Sequence, residues 1–328
     1  MIYNQLGNTG IRLSAIGFGA WAIGGGDYKY GWGTQDDKDS IATINRALEL
    51  GVNWIDTAPV YGDGHSEKII GQAIKGKRDS VFISTKCGVS MAENKKDLAF
   101  NLKKQSIGKE IEASLKRLQV DVIDLYQIHI PQPEEDLQEA WATLAELEKE
   151  GKIRCAGVSN FSLEQLELIQ SIHPVSFIQP EYSMLESSIE KGMLEYCSKN
   201  KIGIISYSPM ASGLLTGKFT REKFKNLPGD DWRRTTAPLF QEPYFYAHLE
   251  LVEKLRPIAA SNNKPLAQLA IAWVLRRPEV TSAIVGARKA YQIEETIPAG
   301  DWILSQEDKA DIDGILNDHY AILGKLKK

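Results

Sequence analysis

Eight short apolar runs, each followed by a segment of helical period, constrain this chain more than any other feature. The runs fall at 15–19, 52–56, 81–86, 122–129, 154–158, 177–180, 203–207 and 283–285. Between and after them lie helix-period stretches near 37–50, 66–75, 106–118, 136–150, 162–171, 189–200, 245–276 and 290–296. Strands alternating with helices build a parallel sheet, and eight is the number that closes a barrel. The strand count also fits an open doubly wound sheet. A length of 328 residues suits one (β/α)8 TIM barrel spanning 1–328, since such barrels fold as single units of roughly 250 residues or more.

The punctuation agrees with this reading. Gly7-Asn8-Thr9-Gly10 turns an N-terminal β-hairpin over 3–14, placed to close one end of the barrel. Ser162 with Gln165 has capping-box spacing, Ser66 precedes Ile69 and Ile70 as a second cap, and Gly51 and Gly151 stand where helices should stop. A capped extra helix, from Ser305 to about Tyr320, packs outside. Two long irregular segments leave strand C-terminal ends, the active face of a barrel: the glycine- and aromatic-rich stretch 24–33 and the loop 216–244.

Composition narrows the function. A net charge of −4 gives no basic field for nucleic acid or an anionic membrane. Lys325, Lys327 and Lys328 read as a solvated basic tail. No apolar run is long enough to span a bilayer, and the N-terminus lacks the charged and apolar regions of a signal peptide. Cys87, Cys155 and Cys197 are far apart, which argues against a disulfide framework and a zinc site and fits a cytoplasmic protein. No metal is expected. Five histidines without an HxH pair also make a metal-dependent hydrolase a poor match.

Two glycine motifs mislead. Gly17-Phe18-Gly19-Ala20-Trp21-Ala22 spells a dinucleotide fingerprint, but no helix follows to offer its N-terminus to a pyrophosphate. The run 213–219 is one residue short of a P-loop, and Phe219 replaces the magnesium-binding hydroxyl.

The strand tips carry the chemistry. The second run ends in Asp56, and the loop broken by Pro59 presents Tyr61 above it. The third ends in Ser84-Thr85-Lys86 and the fourth in Gln127-Ile128-His129. A carboxylate, a phenol, an ammonium and an imidazole thus meet at one pocket. Phenols titrate near pKa ~10, and a neighbouring ammonium eases proton donation. His129 could orient a substrate carbonyl. This equipment suits carbonyl reduction and lacks only a hydride source.

With these residues the chain resembles the aldo-keto reductases, in the bacterial branch that also resembles potassium-channel β subunits. The matching motifs are Asp56-Thr57-Ala58 with Tyr61-Gly62 and Ser66-Glu67, then Ser84-Thr85-Lys86 and Asp124-Leu125 with His129. Further on come 151–154, 157–161, 207–209, 213–218 and 284–288. The resemblance implies a catalytic tetrad of Asp56, Tyr61, Lys86 and His129 in a NAD(P)H-dependent barrel enzyme. It implies that Ser159, Asn160 and Gln179 hold the nicotinamide amide and that Tyr207 stacks on the ring. Ser208, Pro209, Met210, Ser212, Gly213, Leu214 and Lys218 would line the pyrophosphate, with 216–244 covering the cofactor. Gly286, Arg288, Gln292 and Glu295 would take the adenosine end.

Arg288 suits a 2′-phosphate, so NADPH is expected over NADH. The family's better-known Lys-Ser pair there is Gly286-Ala287 in this chain, which weakens that preference. Arg233 and Arg234 read as solvated charges. Trp21, Trp32 and His65, with Trp232 or Tyr244, are expected around a small carbonyl substrate of apolar or aromatic body, while Trp54 reads as barrel core. A nucleotide-sensing regulatory subunit with slow turnover is the alternative function. Substrate identity and oligomeric state are not written in these motifs.

Overall fold

The computed structural model describes residues 1–26, 30–94, 97–229 and 231–326. Asp27, Tyr28 and Lys29 of the glycine-rich stretch, Asp230 of the 216–244 segment, and Lys327 and Lys328 of the basic tail lie outside the described residues. An N-terminal hairpin pairs β1 (Tyr3–Gln5) with β2 (Arg12–Ser14). The barrel strands are β3 (Ile16–Gly19), β4 (Trp54–Asp56), β5 (Phe82–Cys87), β8 (Ile123–Ile128), β9 (Ile153–Ser159), β10 (Phe177–Gln179), β11 (Gly203–Ser206) and β12 (Val280–Gly286). A second small hairpin, β6 (Val89–Met91) and β7 (Leu98–Phe100), follows the third barrel strand. Each barrel strand pairs in parallel with its chain neighbours, and β12 returns to β3, so the sheet is closed.

The period of two decides what fills the barrel. Inward residues Trp54, Leu125, Phe177, Ile205 and Ile284 form one buried cluster, joined from the hairpin by Leu6 and Leu13. Trp54 needs the space that Gly17 leaves: a Cβ there would lie 2.0 Å from the indole. The indole N–H donates to Ser282 Oγ at 3.0 Å, so a large ring is buried with its polar atom satisfied. Leu6 plugs the end opposite the catalytic tips, and Gly7 lies against the backbone of Lys201 and Gly203. The larger core lies between barrel and helices, where outward strand residues such as Ile55, Ile83 and Tyr126 meet the helices' apolar stripes.

Local signals explain most boundaries. Ser162 caps Leu163–Gln170 with the expected reciprocal bonds to Gln165. Gly51 and Gly151 take left-handed φ of 93° and 76° just past helices Asp37–Glu49 and Leu137–Lys149.

Several expectations need correction. The segment 245–276 is two helices, Tyr244–Ser261 and Leu266–Leu275, because Pro265 has no N–H and excludes its predecessor from helix. Ser66 is not a cap; left-handed Gly64 starts helix His65–Ala73, and Ser66 Oγ instead donates to Ala20 O at 3.0 Å. The 189–200 segment becomes helix only from Met193, and the outer helix runs Gln306–Leu326. Within 216–244 stand two short helices, Arg221–Lys225 and Trp232–Thr235. Gly17 and Gly19 lie in β3, followed only by a 3-10 turn, so the dinucleotide fingerprint is indeed a decoy. Among the described residues no helix is long and apolar enough to cross a membrane.

Candidate active site

The tips of β4, β5 and β8 deliver the tetrad as the strand parity requires. Asp56 and Lys86 face each other in the barrel mouth, with Lys86 Nζ donating to Asp56 Oδ2 at 2.7 Å and to Thr57 O at 2.7 Å. Asp56 Oδ1 accepts from Gln179 Nε2 at 2.8 Å, Ser84 Oγ at 3.1 Å and Gln127 Nε2 at 3.5 Å. A carboxylate this deeply buried is tolerable because its lone pairs are filled and its charge is paired. Ser84 and Gln127 came with no assigned role in the sequence; their parity with Lys86 and His129 is the signal that places them there.

Burial pulls the Lys86 pKa below the ordinary lysine value, and the Asp56 carboxylate opposes that pull. The ammonium lies 5.2 Å from the centre of the Tyr61 ring. Tyr61 meets the His129 ring edge-on at 5.9 Å. Burial, and then the Lys86 charge, push the His129 pKa well below 6.5. The imidazole is therefore neutral at physiological pH and offers one N–H donor. Its buried Nδ1 has no partner among the described residues.

These groups open on a cavity of about 540 Å³. Tyr61 and His129 line it, and so does a second set, Ser159, Asn160, Gln179, Tyr207, Ser208 and Ser212. Asn160 ties this second set together, donating to His129 O at 2.9 Å and accepting from the Tyr207 hydroxyl at 2.7 Å. Gln179 spends one amide hydrogen on Asp56 and keeps its Oε1 as an acceptor. A planar aromatic, two amides and three hydroxyls in one recess fit a flat, amide-bearing ring such as a nicotinamide.

The remaining nucleotide-end residues distribute differently. Leu214 and Pro209 are buried in packing, and Met210 is partly buried against the main core. Ser208, Ala211, Ser212 and Gly213 all take positive φ, folding the backbone sharply past the cavity. Lys218 pairs with Glu295, 2.7 Å from Nζ to Oε1, clasping the long segment to helix Ala290–Thr296. Gln292 Oε1 accepts from the backbone N–H groups of Arg288 and Lys289, and Gly286 ends β12 exposed beside Gly19.

Arg288 does not stand open to a phosphate. Its guanidinium donates to Gln35 Oε1 at 2.7 Å, to Trp32 O at 2.9 Å and to Thr34 O. Nor is Arg233 solvated. It forks onto Asp231 and stacks 4.5 Å from the Trp32 ring, with its side chain 14% exposed. Arg234 does lie at the surface, bonding Leu227 O.

The cavity wall is apolar, built from Val60, Val89, Leu98, Ile130, Leu239 and Phe240. Trp21 and Trp232 line it in contact with each other, ring centres 5.0 Å apart. Trp32 packs edge-on behind Trp21 at 5.4 Å. His65 is misassigned: it begins its helix facing outward and pairs with Asp37 at 2.8 Å, because left-handed Gly64 turns the chain away from the cavity. Tyr244 is also outside the lining. Among the described residues no cluster of three metal-ligating side chains exists.

The Aldo/keto reductase family model matches residues 15–317. The chain belongs to the aldo-keto reductases. It is 43% identical over 319 residues to the aldo-keto reductase YhdN of Bacillus subtilis, covering 96% of this chain and 94% of that one. A relative named NADH-specific methylglyoxal reductase, from Escherichia coli, is 37% identical over 92% of this chain and 94% of its own length. Among solved structures, a glycerol dehydrogenase of Gluconobacter oxydans superposes with a TM-score of 0.87 at 37% identity, covering 97% and 95% of the two chains. This aldo-keto reductase is therefore an oxidoreductase of the carbonyl-reducing kind that works with a nicotinamide cofactor.

Proposed function

We propose that the chain, acting as one barrel unit over 1–328, reduces aldehydes or ketones to alcohols with Tyr61 as proton donor. The observation that carries this is the buried Lys86–Asp56 pair, 2.7 Å apart, beneath the Tyr61 ring and beside a neutral His129. When bound, a reduced nicotinamide supplies the hydride that the carbonyl carbon accepts. The chain's own residues do the rest. His129 donates a hydrogen bond to the carbonyl oxygen and so orients the substrate. Tyr61 gives its proton to that oxygen as negative charge builds. Lys86 eases the transfer by favouring the phenolate, and Asp56 fixes Lys86 in place. The aromatic and aliphatic wall keeps water out and suits a substrate with an apolar or aromatic body.

For the cofactor, Ser159, Asn160 and Gln179 would hold the carboxamide and Tyr207 would lie under the ring. The segment 216–244, pinned by Lys218 to Glu295, would cover it. We favour NADPH: Arg288 would exchange the neutral oxygens it now holds for a 2′-phosphate, adding a negative charge on the acceptor and a bidentate geometry. One relative is named NADH-specific and another, from Schizosaccharomyces pombe, carries NADP(+) in its name, so the chain's own preference has to be measured.

The test is single-turnover oxidation of bound NADPH by nitrobenzaldehyde. Tyr61→Phe should slow it by about 10²–10⁴, the range for losing a general acid. A variant as fast as the wild type would remove Tyr61 from the role. Tight NADPH binding by the wild type with negligible oxidation would instead favour a nucleotide-sensing subunit.

A further inference from the structure

Beyond the tetrad, the cavity holds a second pair of ionisable side chains. Glu181 and Glu186 both line it and are half-buried. Glu181 lies two residues past Gln179, so alternation turns its side chain to the same side as the amide that reaches Asp56. An isolated parallel bridge joins Glu181 to Tyr207, both side chains line the cavity, and the Glu181 charge acts on the Tyr207 phenol. The carboxyl makes no hydrogen bond to any described residue, unlike every other carboxylate near the tetrad. Glu67, for comparison, is filled by Thr85 and Arg117.

An unpaired carboxyl at the edge of a mostly apolar cavity serves no packing purpose. It does have an electrostatic consequence for what lies on Tyr207. An oxidised nicotinamide ring carries a positive charge and a reduced one does not. We propose that Glu181 discriminates between the two redox forms of the cofactor, its carboxylate favouring the oxidised ring and its neutral acid favouring neither. The inference rests on the reading of Tyr207 as the nicotinamide platform.

The group's titration makes this dependence visible. Burial, with the like charge of Glu186 adding to it, raises the Glu181 pKa to about 7. Glu186 faces it from the same segment and Tyr207 from the adjoining strand; the Tyr207 hydroxyl, itself raised by burial, stays protonated in this range. His129, which also lines the cavity, stays neutral above its depressed pKa. Between pH 6 and 8 the charge of Glu181 thus changes while those of Tyr207 and His129 do not. A positive ring beside it would stabilise the carboxylate, so binding the oxidised cofactor near pH 7 should release a proton, and affinity for that form should rise with pH.

The experiment measures dissociation constants of NADP⁺ and NADPH from pH 5.5 to 8.5 by titration calorimetry in two buffers of different ionisation enthalpy. For the wild type, the ratio of NADP⁺ to NADPH affinity should rise on the order of tenfold through pH 7, the equivalent of a one-unit pKa change. Proton release on NADP⁺ binding should peak near that pH. Glu181→Gln should flatten the rise and abolish the release while leaving NADPH affinity within about twofold. Glu186→Gln, which removes only the like charge, should keep the rise and move its midpoint to lower pH. A wild-type rise that survives in Glu181→Gln, or a wild-type ratio independent of pH, overturns the inference. If Glu181→Gln does not fold, as judged by circular dichroism, an unmoved midpoint in Glu186→Gln overturns it equally. Absence of binding by either nucleotide at any pH would overturn the cofactor reading itself, and this inference with it.

Discussion

Asp56→Asn isolates the charge on which the proposed proton transfer depends. The substitution keeps the size of the side chain and much of its hydrogen bonding to Gln179 and Ser84, but leaves the Lys86 ammonium buried without its counter-ion. The side chains are 1% and 5% exposed and 2.7 Å apart. Coulomb's law at an effective dielectric of 20 gives about 6 kcal/mol at that distance, before lost hydration is subtracted. Breaking one partner of such a pair costs about 3–5 kcal/mol. Unfolding entropy near 2.1 cal/mol/K per residue amounts to about 0.7 kcal/mol/K over this chain, so the loss corresponds to a Tm lowered by roughly 4–7 °C.

The pH dependence has a definite sign. Burial already lowers the Lys86 pKa, and removing the carboxylate lowers it further. Between that folded value and the unfolded value of about 10.4, the unfolded chain binds one more proton, so stability rises with pH. Calorimetric scans should show the deficit of Asp56→Asn shrinking as pH rises between the folded Lys86 pKa of the variant and that of the wild type, where only the variant gains stability. The double variant Asp56→Asn/Lys86→Met, which strands no charge, should recover part of it. A single-variant loss under about 1 kcal/mol, a deficit unchanged by pH, or a double variant worse than the single would refute the reasoning.

Three further perturbations test other parts of the molecule. Gly17→Ala should destabilise by about 3 kcal/mol or more through overpacking, because its Cβ would strike the Trp54 ring; an unchanged Tm would disprove the clash. Burial, and then the charge of His319, lower the His248 pKa to about 4, and the two rings bond at 3.1 Å between the helix Tyr244–Ser261 and the outer helix. Stability from His248 should therefore be lost as pH falls from about 6.5 to 4, by roughly 3 kcal/mol, and His248→Gln should flatten that part of the Tm profile. Arg288→Ala should lower kcat/KM with NADPH by tenfold or more while changing that with NADH about twofold or less, measured by steady-state kinetics; equal losses would assign the residue to the loop alone.

The legible parts of the chain were those governed by short-range periodicity. Strand parity sufficed to bring Asp56, Lys86, Gln127 and His129 to one mouth, since each sits at a strand end whose inward set is fixed by its neighbours. Trp54 was readable as core for the same reason. What failed depended on one dihedral or on a partner far along the chain. His65 stands nine residues from Asp56, yet left-handed Gly64 turns it outward. The fate of Arg288 was decided by Gln35 and the backbone at 32–34, about 250 residues away. Lys218 and Glu295, each read separately as a nucleotide contact, prove to hold one another. The Val89–Phe100 hairpin escaped because its apolar ends flank a charged turn.

Part of the wall that would meet a substrate stands apart in the polypeptide from the groups that would move its proton. Trp21, Leu98 and Trp232 stand on three connections that carry none of Asp56, Lys86 or His129. An engineer could randomise those three positions to reshape acceptance of new carbonyl compounds while the acid chemistry below stays as it is. Natural selection has had the same freedom, so divergence in diet among sister sequences should concentrate in these connections and spare the strand ends.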